Sequence, residues 1–306
     1  MLRSTLLVAL LAAGPLADRP PTSPPFEFVQ SALARHRIVF LGDIHPLAEP
    51  KLLVSRLIEG QAPGASIDLL ALEVASDQQE VIDRYLAGVP EDTTILVDNP
   101  RTLRAHWGAS HEYLDIYRSV YRWNAAHPDQ PVHVLAADIR GWPMSPLTEH
   151  MATGGFVNRD VWMAAAFRKA VAQHPDWRTL IFMGGYHGLK GVGGEVRLGK
   201  AHDRFDRWFA GYLADDSLDV YTILTDARQD GGHGATRVYD LLAAGARGDG
   251  FATVLDTATD VVREPLYDVE QDGYSLEFWP SRFPLRLAVD AMVVLPESRP
   301  ITLIGR

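Results

Sequence analysis

The 306-residue chain carries 39 acidic against 29 basic residues, a formal net charge of −10, and no cysteine. That balance excludes a nucleic-acid surface, which needs a basic stripe or patch. The missing thiols exclude disulfides, thiolate nucleophiles, iron–sulfur clusters and a Cys-anchored lipid.

The first residues, "MLRSTLLVALLAAGPLA", combine a basic Arg3, an apolar run from Leu6 to Ala13 and small residues after it. This is the pattern of a secretory signal peptide over residues 1–17, and it predicts a secreted or periplasmic protein. The run is too short to span a bilayer, and no later segment is long and apolar enough to do so. "DRPPTSPP" (18–25) reads as a stiff proline-rich spacer. Residues 26–306 are expected to form a single domain.

Beyond the spacer, strand-length apolar runs alternate with segments of helical period. Strands are predicted at Ile38–Gly42, Leu69–Val74, Val132–Ala136, Thr179–Met183, Val220–Leu224 and Leu287–Leu295. Several are apolar on successive residues, as in strands covered on both faces. Helical spacing occupies residues 50–60, 76–88, 110–127, 158–174 and 202–214. The alternation predicts an α/β fold, a mostly parallel open sheet flanked by helices. Residues 229–284 are less periodic and are expected to form an irregular excursion or lid.

In such sheets ligands bind beyond the carboxyl ends of the strands. Asp43 and His45 follow the first predicted strand, Glu73 ends the second, Asp138 follows the third, and Tyr186 and His187 follow the fourth. Imidazoles and carboxylates gathered there suit a divalent metal such as zinc, manganese, iron or cobalt, with Asp43, His45, Glu73 and His187 as ligands. Alternatively His45 works as a general base without metal. Each residue also has a plainer reading. A His after a strand is commonly a hydrogen-bonded loop residue, and Asp138 could cap a turn. Glu73, inside an apolar strand, requires a cation or donor, which a structural Arg would supply as well as a site would. Arg159-Asp160 opens a predicted helix, where the dipole favours Asp but not Arg, so Arg159 is expected to point at an acid. "GEVRLGKA" (194–201) lacks the Ser or Thr of a phosphate loop, and no nucleophile elbow or H-E-x-x-H helix occurs. Glu49 is a further ligand candidate if its stretch is helical, and His202 with Asp206 is expected on a solvated helical face.

"VFLGDIH", "LLALEV", "NRDVWMAAAF" and "LIFMGGYHGLKGVGG" together resemble the successive motifs of the ChaN-like, erythromycin esterase-like and Tiki/TraB group. The resemblance runs over about residues 36–226, with "RLAVDAMVVLPESRPITLIG" resembling the group's closing strand. It implies a parallel α/β core with one cleft, and either hydrolysis of an ester or amide in a small molecule or peptide, or binding of haem or another small ligand. It implies catalytic roles for His45, Glu73, His187 and Arg159, with Asp160, Tyr186 and Asp138 beside them. Three departures stand out: Asp43 replaces the Glu of many members, the lipoprotein cysteine of ChaN-like proteins is absent, and no haem-ligating motif is recognisable. The sequence leaves the substrate and the oligomeric state open.

Overall fold

The strand residues Ile38, Phe40, Leu69, Ala71, Ile181 and Met183 belong to one buried cluster, whereas Val39, Leu41, Leu70, Leu72, Leu180 and Phe182 belong to another. Successive side chains of a strand point to opposite faces, so an unbroken apolar run supplies two cores, one on each side of a sheet. The computed structural model describes residues 22–88, 90–103, 109–142, 159–198, 201–227, 250–254, 269–271, 274–279, 285–295 and 298–305. The expected signal peptide and half of the expected spacer lie outside them, as does most of the segment expected to be irregular.

In chain order the described elements begin with β1 (Thr22–Ser23), α1 (Pro25–Arg35), β2 (Ile38–Asp43), α2 (Glu49–Glu59), β3 (Leu69–Ala75), α3 (Gln79–Ala87) and α4 (Thr94–Val97). They continue with α5 (His111–Ala126), β4 (His133–Asp138), α6 (Arg159–Gln173), β5 (Thr179–Gly184), β6 (Gly193–Leu198), β7 (Ala201–Phe205) and α7 (Phe209–Asp215). The last are β8 (Val220–Ala227), β9 (Phe251–Val254), β10 (Val269–Gln271), β11 (Tyr274–Trp279) and β12 (Ala291–Leu295).

The main sheet has the order β1-β9-β12-β8-β2-β5-β3-β4. From β12 to β4 every neighbouring pair is parallel, and β9 and β1 extend the edge by antiparallel pairing. The fold is therefore α/β, as the alternation of segments predicts. Residues of α1, α2, α3 and α5 pack in the first core cluster, on one face, and residues of α6 and α7 in the second, on the other. A second, antiparallel sheet has the order β10-β11-β6-β7.

Four expectations need correction. Residues 202–214 are not one helix: β7 pairs with β6, and α7 begins only at Phe209. Phe205 and Trp208 imitate a helical stripe, but their rings meet edge to face at 4.7 Å around the turn between strand and helix. His202 therefore lies on a strand and shares no helical face with Asp206. The closing strand starts at Ala291 rather than Leu287, because Leu285–Leu287 forms a 3-10 turn. The region 229–284 is not wholly irregular, since β9 joins the main sheet and β10 and β11 build the second. Part of the expected spacer is also ordered: β1 pairs with β9, and Pro25 sits in the first turn of α1, where its missing N–H costs nothing.

The segment 298–305 lies across the loop that follows β2. Ile301 N donates to Pro46 O at 2.9 Å and Ala48 N donates to Arg299 O at 3.0 Å. Its other side is tied to the start of α5, where Arg299 meets Glu112 at 2.7 Å and His111 N donates to Thr302 O. Among the described residues no helix is long and apolar enough to cross a membrane.

The central strands carry most of the burial. Phe182 on β5 is fully buried, so Phe182→Ala is expected to lower stability by about 3–5 kcal/mol through lost transfer energy and a residual cavity. Urea unfolding followed by circular dichroism checks this.

Candidate functional site

Parallel register brings the strand ends together. Asp43 of β2 pairs with Gly184 of β5, and Ala75 of β3 with Asp138 of β4. The register between β3 and β4 shifts between Leu72 and Ala75, so Glu73 sits at a local irregularity, a device that re-aims side chains near sites. His45 and His187 follow the ends of β2 and β5, on the same edge of the sheet, as the strand-end rule predicts.

Glu73, 1% exposed, lies at the centre. Its Oε2 accepts from Gly184 N at 2.7 Å, and its Oε1 is bound by the Arg159 guanidinium. His45 Nε2 is 3.9 Å from Oε2, and His187 Nε2 is 3.5 Å from Oε1. Each imidazole uses its other nitrogen on an aspartate. His45 Nδ1 lies 2.9 Å from Asp43 Oδ2, and His187 Nδ1 lies 2.7 Å from Asp160 Oδ1. Asp160 in turn accepts from Phe209 N at 2.7 Å, which fixes it to the start of α7. Two His–Asp pairs thus flank one glutamate.

Arg159, in the first turn of α6, also binds Asp138 Oδ2 at 2.8 Å, while Asp138 Oδ1 accepts from Ile139 N at 2.7 Å. The guanidinium lies 4.0 Å from the Trp142 ring centroid, a cation–π arrangement. Tyr186 is half-buried, its ring 6.0 Å from that of Trp208, which also meets His187 edge to face. The strand-end residues selected from the sequence, with Arg159 and Asp160, are therefore all in this cluster or on its wall. Glu49 is not: it is helical, but its Oε2 accepts from Arg299 N.

The glycines of the two G-x-x-H motifs make room for each other. A Cβ on Gly42 would lie 3.0 Å from Gly185 Cα, and one on Gly184 would lie 2.9 Å from His45 Nε2 and 3.3 Å from Glu73 Oε2.

Burial alone would lower the pKa of His187, but Asp160 and Glu73 outweigh it and push it up to about 9. Arg159 Nη2, 2.8 Å from Nε2, favours the neutral ring instead. Asp160 and Glu73 together outweigh that single guanidinium, so the balance of charge favours the imidazolium. Burial raises the Asp138 pKa in spite of Arg159. Burial works against the charge of Arg159 too, but there the carboxylate neighbours overcome desolvation and keep the guanidinium charged.

A divalent metal does not fit this donor set. Among the described residues no group of three or more His, Asp or Glu side chains could hold one. Both Nδ1 atoms are committed to aspartates, both Glu73 oxygens are engaged, and Arg159 already supplies the cation between Glu73 and Asp138. The expected shell of Asp43, His45, Glu73 and His187 is assembled as a hydrogen-bonded network instead.

Two participants escaped the sequence reading. Lys51 on α2 is 2% exposed and its Nζ lies 2.5 Å from Asp43 Oδ1. Its signal was a lone Lys on the helical stripe shared with Val54 and Ile58. Trp142 gave no signal, because it follows β4 with no periodicity of its own.

No family model matches the chain, and no curated protein sequence does. Solved structures do. A His-to-Asn mutant of the erythromycin esterase EreC, in its open conformation, aligns with TM-score 0.56 at 13% identity over 92% of this chain and 95% of that one. A succinoglycan biosynthesis protein aligns with TM-score 0.57 at 10% identity over 92% and 94%. The chain shares the fold of these proteins. That agrees with the group its motifs resemble. ChaN of Campylobacter jejuni, with cofacial haem, aligns at TM-score 0.37, 15% identity and 67% of this chain against 87% of its own, too distant to bear weight.

Two outcomes are expected. Gly184→Ala should displace His45 or Glu73 and cost about 1–3 kcal/mol by overpacking, visible as a lowered urea midpoint and a moved imidazole in a crystal structure of the variant. Because folding raises the His187 pKa, its contribution is complete below the unfolded value of about 6.5. It is lost as pH rises through about 9. Urea midpoints should therefore fall between those limits in the wild type, and fall less in His187→Gln.

Proposed function

We propose that this cleft hydrolyses an ester or amide, with His45 as general base on a water molecule. The observation that carries the reading is the His45–Asp43 pair: a carboxylate accepting from Nδ1–H leaves Nε2 as an acceptor. The His45 side chain, 17% exposed, is more open than those of Glu73 and His187. His45 Nε2 takes a proton as the water oxygen attacks the carbonyl carbon, and the resulting imidazolium returns that proton to the leaving group. Glu73, 3.9 Å from Nε2, stabilises the imidazolium while it lasts. Arg159, kept charged by its carboxylate neighbours, supplies the cation that neutralises the negative charge developing on the carbonyl oxygen. The shared fold with a protein described as an esterase supports the ester class, with a small molecule or peptide as substrate. The signal-like N-terminus supports export, which sequencing the N-terminus of protein recovered from the native host would test.

The test is a screen of ester and amide substrates, followed by His45→Ala and Glu73→Gln. His45→Ala is expected to lower kcat by about 10²–10⁴, the usual worth of a general base, with the thermal melt little changed. Activity is expected to survive EDTA. Two variants that retain full activity would refute the assignment, and activity lost to EDTA and restored by manganese, cobalt, zinc or iron would return the metal reading. Tight haem binding with no hydrolysis would make the protein a ligand carrier.

A further inference from the structure

Lys51 has no place in the reaction just described, yet its ammonium is directed at the segment that carries the base. A lysine on a helix ordinarily reaches solvent, whereas this one is 2% exposed. Nζ donates to Asp43 Oδ1 at 2.5 Å, to Ile44 O at 2.9 Å and to His45 O at 2.9 Å. An ammonium has three N–H bonds, and these three acceptors come from three consecutive residues. Asp43 divides its oxygens: Oδ1 faces Lys51 and Oδ2 faces His45 Nδ1 at 2.9 Å.

We propose that Lys51 is a positioning residue for His45, which keeps Asp43 an obligate acceptor and so keeps the imidazole proton on Nδ1. The cation holds Asp43 in its ionised form, and an ionised carboxylate can only accept. Without that charge the buried carboxylate either takes up a proton, becoming able to donate to Nδ1, or turns away from the ring. Both routes let the proton move to Nε2, the atom that must stay bare to receive the proton of a water. The two carbonyl bonds act on position, fixing the backbone on which the ring swings. Asp43, one methylene shorter than Glu, still reaches both partners because Lys51 comes to it from α2. The catalytic consequence of this positioning rests on the hydrolytic reading, but the tautomer itself is measured without substrate.

The experiment is long-range 1H–15N correlation on full-length protein labelled with 15N-histidine, above the pH at which His45 is charged. Loss of one ring's signals in His45→Gln assigns them. The wild-type ring should carry its proton on Nδ1 alone. In Lys51→Met, and in the milder Lys51→Gln, which keeps two N–H donors but no charge, the Nδ1 and Nε2 shifts should move toward each other as both tautomers populate. A wild-type proton on Nε2 would overturn the proposal, as would a pure Nδ1–H ring in either folded variant. If neither variant folds, Lys51 serves the fold rather than the ring, and the proposal also fails. Absence of any hydrolytic activity would sink the proposed function while leaving this reading of the tautomer intact.

Discussion

A carboxylate at 1% exposure at the end of a parallel strand is the constraint around which this cleft is built. Glu73 cannot be charged there without donors, since an unpaired buried charge costs several kcal/mol. It has two of different kinds: the guanidinium of Arg159 and the backbone N–H of Gly184. Arg159 comes from the start of α6 and Gly184 from the end of β5, so satisfying one side chain fixes a helix and a neighbouring strand against each other. Arg159 then brings Asp138 at the end of β4 into the same network.

The two histidines stand at similar distances from this carboxylate but in different settings. His187 meets Trp208 edge to face, and Asp160 and Glu73 outweigh both burial and the neighbouring guanidinium in favour of its charged form. His45 is the more open ring, and its aspartate is balanced by a buried lysine. Two copies of one pairing can thus take up different roles, because neighbouring charges, rather than residue type, decide the protonation state. The close approach depends on having no side chain at Gly42 and Gly184, each of which faces the other motif.

The loop bearing His45 is also tied from outside. Residues 299–301 exchange backbone hydrogen bonds with Pro46 and Ala48, and Arg299 anchors the same segment to Glu112. The loop is therefore held beneath by Lys51 and above by a segment distant in sequence. Its anchoring is a tertiary property.

The sequence by itself determined the α/β class, the central strands and the edge on which the site lies. Unbroken apolar runs have few alternatives to doubly covered strands, and parallel strands must place their carboxyl ends on one edge. It also marked each acid, both imidazoles and Arg159, because polar residues at the ends of such runs need a reason to be there. Tertiary structure alone decided which group pairs with which. Whether Glu73 would meet a metal or an arginine turned on where α6 begins relative to β3, a distance no local pattern encodes. The role of Lys51 was hidden for the same reason: helical period puts it on the inward stripe, but only the packing of α2 against the end of β2 aims its ammonium at Asp43. The stretch 202–214 misled because Phe205 and Trp208 have helical spacing, and pairing of β7 with β6, a nonlocal interaction, outweighs that local preference.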